Sequence, residues 1–282
     1  MRCAWQAYLK ILPIWMRDQV DELGRDRLQE LRLRIERPPE LVRNGDNVFL
    51  QRNITAEDLT FCVNAASNYS PWAASTLASG YITAPGGHRI GICGDVVMHS
   101  GTIQTIKNIS SLCVRVARDF PGIATQALHL NGSILIIGSP GTGKTTFLRD
   151  LIRQKSNSAC SAVAVVDERG EVFPSVESRF YFSPGLRTEV LFGCDKSSGI
   201  EILLRTMNPN WIAVDEITAL VDTKAIFRAG GCGVDIMATA HAADIEDLNT
   251  RGVYKPFVES GFFRNIIVMN KNKSWKIERV NV

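Results

Sequence analysis

Between an apolar run and an amphipathic stretch lies Gly138-Ser139-Pro140-Gly141-Thr142-Gly143-Lys144-Thr145, a match to the phosphate-loop pattern G-x-x-x-x-G-K-[ST]. Ser133-Ile134-Leu135-Ile136-Ile137 before it reads as a buried parallel strand, and Thr146 to Arg153 after it carries apolar residues at 147, 148, 151 and 152, one face of a helix. Strand, glycine loop and helix is the context the motif requires. Glycines let backbone N–H groups curl round an anion, and the helix N-terminus adds partial positive charge. The stretch Gly138 to Thr146 is therefore expected to hold the phosphates of a nucleoside triphosphate, ATP, with Lys144 reaching the β- and γ-phosphates and the Thr145 hydroxyl holding Mg²⁺.

The remaining sequence limits what surrounds this site. With 282 residues there is room for two modest domains, and a net charge of +3 with intermixed acids and bases gives no reason to expect a nucleic-acid partner. Cysteines 3, 62, 93, 113, 160, 194 and 232 form no C-x-x-C pair, which excludes the usual zinc and disulfide spacings. Most lie among apolar residues and are expected to be small core residues in a reducing, cytoplasmic compartment. The segment Ala4–Met16 is broken by Lys10 and Pro13 and is expected to pack as a short amphipathic helix, with a membrane-surface anchor as the alternative.

A Pro-Gly turn at 121–122 marks the expected boundary between an α+β domain over residues 1–120 and a nucleotide-binding domain over 121–282. In the first, Arg25–Arg37 reads as a helix turning into a strand, Thr55 as a helix N-cap, and Gly80–Gly94 as a hairpin around Pro85-Gly86-Gly87. In the second, strands at Ile134–Ile137, Val163–Val166, Trp211–Val214 and Asp235–Ala238 alternate with helices, which predicts a parallel sheet. A closing pair, Asn265–Met269 and Trp275–Val280, has Asn270-Lys271-Asn272-Lys273 as a plain turn, since the final Asp of a guanine-reading N-K-x-D is absent.

Two strand ends carry acidic pairs. Asp215-Glu216 follows the apolar run Trp211–Val214, and ligands of open α/β sheets bind at such carboxyl ends. Asp215 is expected to orient the Mg²⁺ shell and Glu216 to polarise the attacking water. Asp167-Glu168 is more ambiguous: Glu168 reads either as a second water-orienting or Mg²⁺-shell carboxylate or as a structural ion pair with Arg169. A strand between the phosphate-loop and Asp215 strands is the arrangement of the additional-strand, catalytic-glutamate ATPases. His241, ending another core strand, is expected beside the γ-phosphate. Gly185–Glu189 reads as a polar loop whose Arg187, like Arg89, Arg115 and Arg118, is a candidate finger for a neighbouring subunit's phosphate.

Together these segments resemble the stage III sporulation protein AA family of endospore-forming bacteria. The resemblance runs from about Leu28 to the C-terminal hairpin and is carried by Gly80–Gly94, Ile109–Arg118, the phosphate loop, Val166–Glu171, Gly193-Cys194 with Lys196, Val214–Ile217 and Ala238–His241. That family is similar to the ATPases of type II and type IV secretion. The resemblance implies a RecA-like core capped by an N-terminal domain, a hexameric ring, an aspartate-box position at Asp167-Glu168 and a histidine-box position at His241. It further implies an ATPase of the mother-cell cytoplasm, peripheral at the membrane, that energises the channel to the forespore through that channel's membrane proteins. Thr218 stands where glycine is expected, Asp222 replaces a more acidic stretch, and Ala242-Ala243-Asp244 is idiosyncratic.

Overall fold

The computed structural model describes residues 1–43, 46–68, 77–157, 161–176 and 179–279, which divide into two compact units. Unit one holds Met1–Asp119 together with Ser175–Tyr181, and unit two holds Phe120–Pro174 and Phe182–Val282.

Unit one begins with α1 (Trp5–Ile11) and α2 (Ile14–Leu23), separated at Pro13, whose fixed φ of −52° suits the position before a helix and whose missing N–H ends the first one. The two helices bury Tyr8, Leu9, Ile11, Met16 and Val20. Strands β1 (Leu28–Arg34), β2 (Glu40–Arg43), β3 (Asn47–Phe49), β4 (Tyr81–Ala84), β5 (His88–His99) and β6 (Thr102–Arg115) form an antiparallel sheet in the order β3-β2-β1-β6-β5-β4. The expected helix at Arg25 is absent: residues 25–27 are a turn, and Leu28, Leu31 and Leu33 enter the core from a strand. Helix α3 (Ala56–Ala66) starts as expected at Thr55, whose hydroxyl accepts from Asp58 N while Asp58 accepts from Thr55 N. A short ribbon, β9 (Ser175–Val176) with β10 (Arg179–Phe180), completes the unit.

Inside this unit His88 is fully buried between two backbone groups, with Nε2 3.0 Å from the Ala4 carbonyl and Nδ1 accepting from Ala117 N at 3.0 Å. The accepting Nδ1 leaves the proton on Nε2, so the ring is neutral and donates to Ala4. Burial pushes its pKa down to about 4, and the nearby Arg118 cation adds to the fall.

Unit two is built on β7 (Ile134–Ile137), β8 (Val163–Asp167), β11 (Thr188–Phe192), β12 (Trp211–Val214), β13 (Asp235–Ala240), β14 (Asn265–Met269) and β15 (Trp275–Arg279), in the order β11-β8-β12-β13-β7-β14-β15. All neighbours are parallel except the β14–β15 hairpin. Every residue of β7, β12 and β14 is buried, as a sheet covered on both faces demands. Phe147, Leu148, Leu151 and Ile152 of α4 (Lys144–Asn157) pack against one sheet face. The other face carries α5 (Lys196–Thr206), α6 (Leu220–Gly231), α7 (Ile245–Thr250) and α8 (Lys255–Glu259), with Ile200, Ile226, Leu248 and Phe257 in its core. The strand that separates β7 from β12 in space is β13.

Two expectations need correction. Residues 188–189, read as loop, begin the edge strand β11, whose alternation of exposed and half-buried positions gives a weaker signal than the buried strands. Of the six described cysteines only Cys62 is buried, while Cys93 and Cys232 are exposed and the others half-buried; all six are free. Local apolar neighbours in sequence do not fix burial: Cys93 takes an outward-facing strand position, and Cys232 lies just past the end of α6. Cys160 lies outside the described residues.

A candidate nucleotide site at the carboxyl ends of the strands

The phosphate loop leaves β7 at Gly138, where a Cβ would stand 2.7 Å from both Met269 O and Thr142 Oγ1, so only glycine fits. Gly143, with φ +103°, turns the chain into α4. Within the loop Thr142 donates its hydroxyl to Ser139 O at 2.9 Å; Pro140 and Gly141 are exposed at the crest, and Thr145 and Thr146 lie half-buried in the first helical turn.

Lys144 is the first residue of α4 and only 7% exposed. Its ammonium donates to Gly138 O at 2.7 Å and Ser139 O at 3.1 Å, and lies 3.0 Å from His241 Nδ1. Burial lowers its pKa, partly offset by the charges of Asp215 and Glu216. An ammonium has only protons to offer, so Nδ1 of His241 accepts and its Nε2 carries the hydrogen. That Nε2 faces Glu216 Oε1 at 3.3 Å. His241 thus links the loop lysine to the acidic pair.

Asp215 receives two hydroxyls, Thr145 Oγ1 on Oδ2 at 2.8 Å and Thr239 Oγ1 on Oδ1 at 2.6 Å. Thr239 also accepts from Glu216 N at 2.8 Å, and this holds Glu216 at φ +53°, a left-handed conformation rare for a residue with a side chain. Such backbone strain persists where surrounding bonds over-determine it, a pattern concentrated at functional sites. Two alternate residues of one strand end, Thr239 and His241, therefore fix the acidic pair. Thr239 belongs to no motif in the sequence; its place two residues before His241 is the signal that marks it.

In the second acidic pair the two carboxylates have separate partners. Asp167 is a loop clamp, buried and accepting from Glu171 N, Val172 N and Phe173 N at 2.8–3.1 Å. Burial raises its pKa against those three bonds. Arg149 of α4 grips the same loop from its carbonyl side, donating to Val172 O at 2.5 Å and Glu171 O at 2.8 Å. Glu168 pairs with Lys196 at 2.5 Å, a lysine buried at the start of α5. The Glu168–Arg169 ion pair, one of the two readings of Glu168, does not form: Arg169 points to Glu216 Oε2 at 3.4 Å. Adjacent residues on a turn face different ways, which sequence adjacency conceals.

The departures at Thr218 and Asp222 are resolved by capping, since Asp222 accepts from Thr218 N and Ala219 N and closes the start of α6. Of the finger candidates, Arg187 is exposed. In unit one Arg118 donates to the carbonyls of Arg25 and Leu28, Arg89 lies over the Tyr81 ring at 3.9 Å, and Arg115 sits 3.6 Å from Glu30.

For Mg²⁺, the donor set fits. A hydroxyl and a carboxylate 2.8 Å apart are hard oxygen ligands, and Mg²⁺ is commonly held by one or two protein oxygens plus phosphates and water. Among the described residues no three His, Cys, Asp or Glu gather into a metal cage. No helix among them is long and apolar enough to cross a membrane.

A glycine loop on an inner parallel strand, with an acidic strand end two strands away, defines unit two as a RecA-like P-loop NTPase fold. The whole chain belongs to the family described as sporulation stage III, protein AA, whose profile matches residues 6–280. It is 35% identical over 277 residues to the stage III sporulation protein AA of Bacillus subtilis (strain 168), covering 94% of this chain and 90% of that one. Among solved structures, the fold is similar to the pilus retraction motor PilT with bound ADP, at 16% identity and a TM-score of 0.63, covering 96% of this chain and 84% of that one. It is also similar to the Legionella pneumophila ATPase DotB, at 16% identity and a TM-score of 0.61, covering 95% and 80%.

Proposed function

We propose that the chain is a Mg²⁺-dependent ATPase of the secretion-ATPase kind that turns hydrolysis into movement of a membrane complex during sporulation. The observation that carries this reading is the Thr145–Asp215 contact at 2.8 Å, which unites the phosphate loop with the acidic strand end one residue from Glu216.

In this reading the amides of Gly138 to Thr146 and the Lys144 ammonium bind the phosphates, and Thr145 with Asp215 holds Mg²⁺, which neutralises developing phosphate charge. Glu216 orients the attacking water and takes its proton. His241 and Arg169 hold the two oxygens of that carboxylate in place, at 3.3 and 3.4 Å. Glu168 keeps a supporting part, since one of its oxygens is committed to Lys196. Water activation needs a positioned acceptor and little covalent chemistry, which suits a carboxylate flanked by two side-chain donors.

The active form we propose is a homo-oligomer, a hexameric ring, with Arg187, Arg89, Arg115 or Arg118 reaching a neighbour's phosphate. It sits at the mother-cell face of the membrane, bound to the membrane proteins of the channel to the forespore, with no nucleic-acid substrate. Family membership and the likeness of fold to the ATPase DotB and the pilus retraction motor PilT support this part of the reading.

Phosphate release per chain, followed over a hundredfold range of protein concentration with and without single-stranded DNA, tests it. Specific activity that climbs with concentration and ignores DNA is expected. Activity independent of concentration and stimulated by DNA overturns the proposal in favour of a nucleic-acid motor.

A further inference from the structure

The turn Asn270-Lys271-Asn272-Lys273 between β14 and β15 reads from sequence as a plain hairpin connection. In the structure it is tied to the phosphate loop. Strand β14 runs parallel to β7, Val268 opposite Ile137, so the turn emerges beside the point where the loop leaves its strand. Met269 O fills the space a Cβ on Gly138 would need, and Trp275 beyond the turn meets Phe147 of α4 edge-to-face at 5.0 Å. From this platform the Lys273 ammonium donates to the carbonyl of Gly141, at the crest of the phosphate loop.

The turn is built to deliver that lysine. Lys273 N donates to Asn270 O at 3.0 Å, Asn270 N to Ser274 O at 2.9 Å, and Ser274 N and Oγ both donate to Asn272 Oδ1 at 3.0 and 2.7 Å. Lys273 itself sits at φ +69°, where glycine or asparagine would be cheaper. A strained lysine in an otherwise self-satisfied turn points to a use for its side chain.

We infer that Lys273 is a positioning residue for nucleotide: it braces the phosphate loop from outside through Gly141 and adds a second ammonium beside Lys144 to the field that attracts a polyphosphate. A carbonyl bonded outward keeps the loop's peptide planes turned so that their N–H groups face the anion. The bond is charge-assisted, and its ammonium is exposed, so its contribution is to loop shape and local potential and not to the core. This inference rests on the nucleotide-binding reading of the same loop.

Equilibrium binding of ATP and of ADP to the full-length chain, in parallel with its melting temperature without nucleotide, provides the test. Lys273→Ala is expected to weaken both ligands five- to thirtyfold, and Lys273→Arg to recover to within threefold of wild type. Lys273→Gly relieves the backbone strain, so it is expected to melt at or above the wild-type temperature while binding nucleotide as weakly as the alanine variant. That split separates a nucleotide role from a structural one. Wild-type affinity in the alanine and glycine variants overturns the inference, as does weakened binding that tracks a lowered melting temperature in both. Wild-type protein that binds no nucleotide would defeat the underlying reading instead.

Discussion

Thr239 is the residue on which the geometry of the candidate site converges. One hydroxyl donates to Asp215 and accepts from Glu216 N, so it sets both the metal-side carboxylate and the strained backbone of the proposed base. Thr239→Val keeps the shape and removes both bonds. It is expected to lower turnover ten- to hundredfold and raise the Mg²⁺ concentration needed for half-maximal rate, with ATP affinity in saturating Mg²⁺ changed less than threefold; Thr239→Ser is expected to restore most of the loss. Steady-state rates across a Mg²⁺ titration check this, and an unchanged Mg²⁺ dependence would show that Thr239 does not position the metal-side carboxylate. Beside it, His241 stands between Lys144 and Glu216, with Nδ1 3.0 Å from the Lys144 ammonium and Nε2 3.3 Å from Glu216 Oε1, so the phosphate loop and the proposed base share one side-chain neighbour.

At the scale of elements, buried polar groups fasten each unit. Asp150 of α4 is fully buried and accepts from Gly122 N, Ala124 N, Arg153 and Gln154, stapling the start of unit two to the helix that follows the phosphate loop. Asp150→Ala removes the buried acceptor that these four donors share and the carboxylate paired with Arg153, and is expected to cost about 3 kcal/mol of stability, measured by denaturant unfolding. In unit one, His88 fastens Ala4, just before α1, to Ala117, two residues past β6. Its pKa is lowered from 6.5 to about 4, so the unfolded chain binds the proton more readily between those values. Its stabilising contribution is therefore complete above pH 6.5 and is lost as pH falls towards 4, by about 3 kcal/mol at 1.36 kcal/mol per pH unit. Unfolding midpoints of wild type and His88→Gln at pH 5 and pH 7.5 check the sign: the wild type should lose more stability on acidification than the variant.

Across the whole molecule, what the sequence made legible was whatever depends on local pattern. Fully buried strands such as Ile134–Ile137 and Trp211–Val214 announce themselves as apolar runs, and the Pro85-Gly86-Gly87 turn and the Thr55 cap carry their own chemistry. Half-exposed β11 did not, because an edge strand has no continuous apolar run. The strand order, which sets β13 between β7 and β12, and the pairings Glu168–Lys196 and Arg169–Glu216 arise from tertiary placement that no window of residues contains. The same holds for Ser175–Tyr181, which lies within the sequence of the second unit and belongs to the first. The candidate residues themselves were nearly all readable; their division of labour was not. In the proposed function Glu216 serves hydrolysis, in a site whose nucleotide binding depends on Lys144. This is tested most directly by measuring phosphate release and ATP binding together for wild type, Lys144→Ala and Glu216→Gln. Mg²⁺-dependent release by wild type alone is expected, with ATP bound by Glu216→Gln and not by Lys144→Ala. Release by Glu216→Gln at the wild-type rate would contradict it.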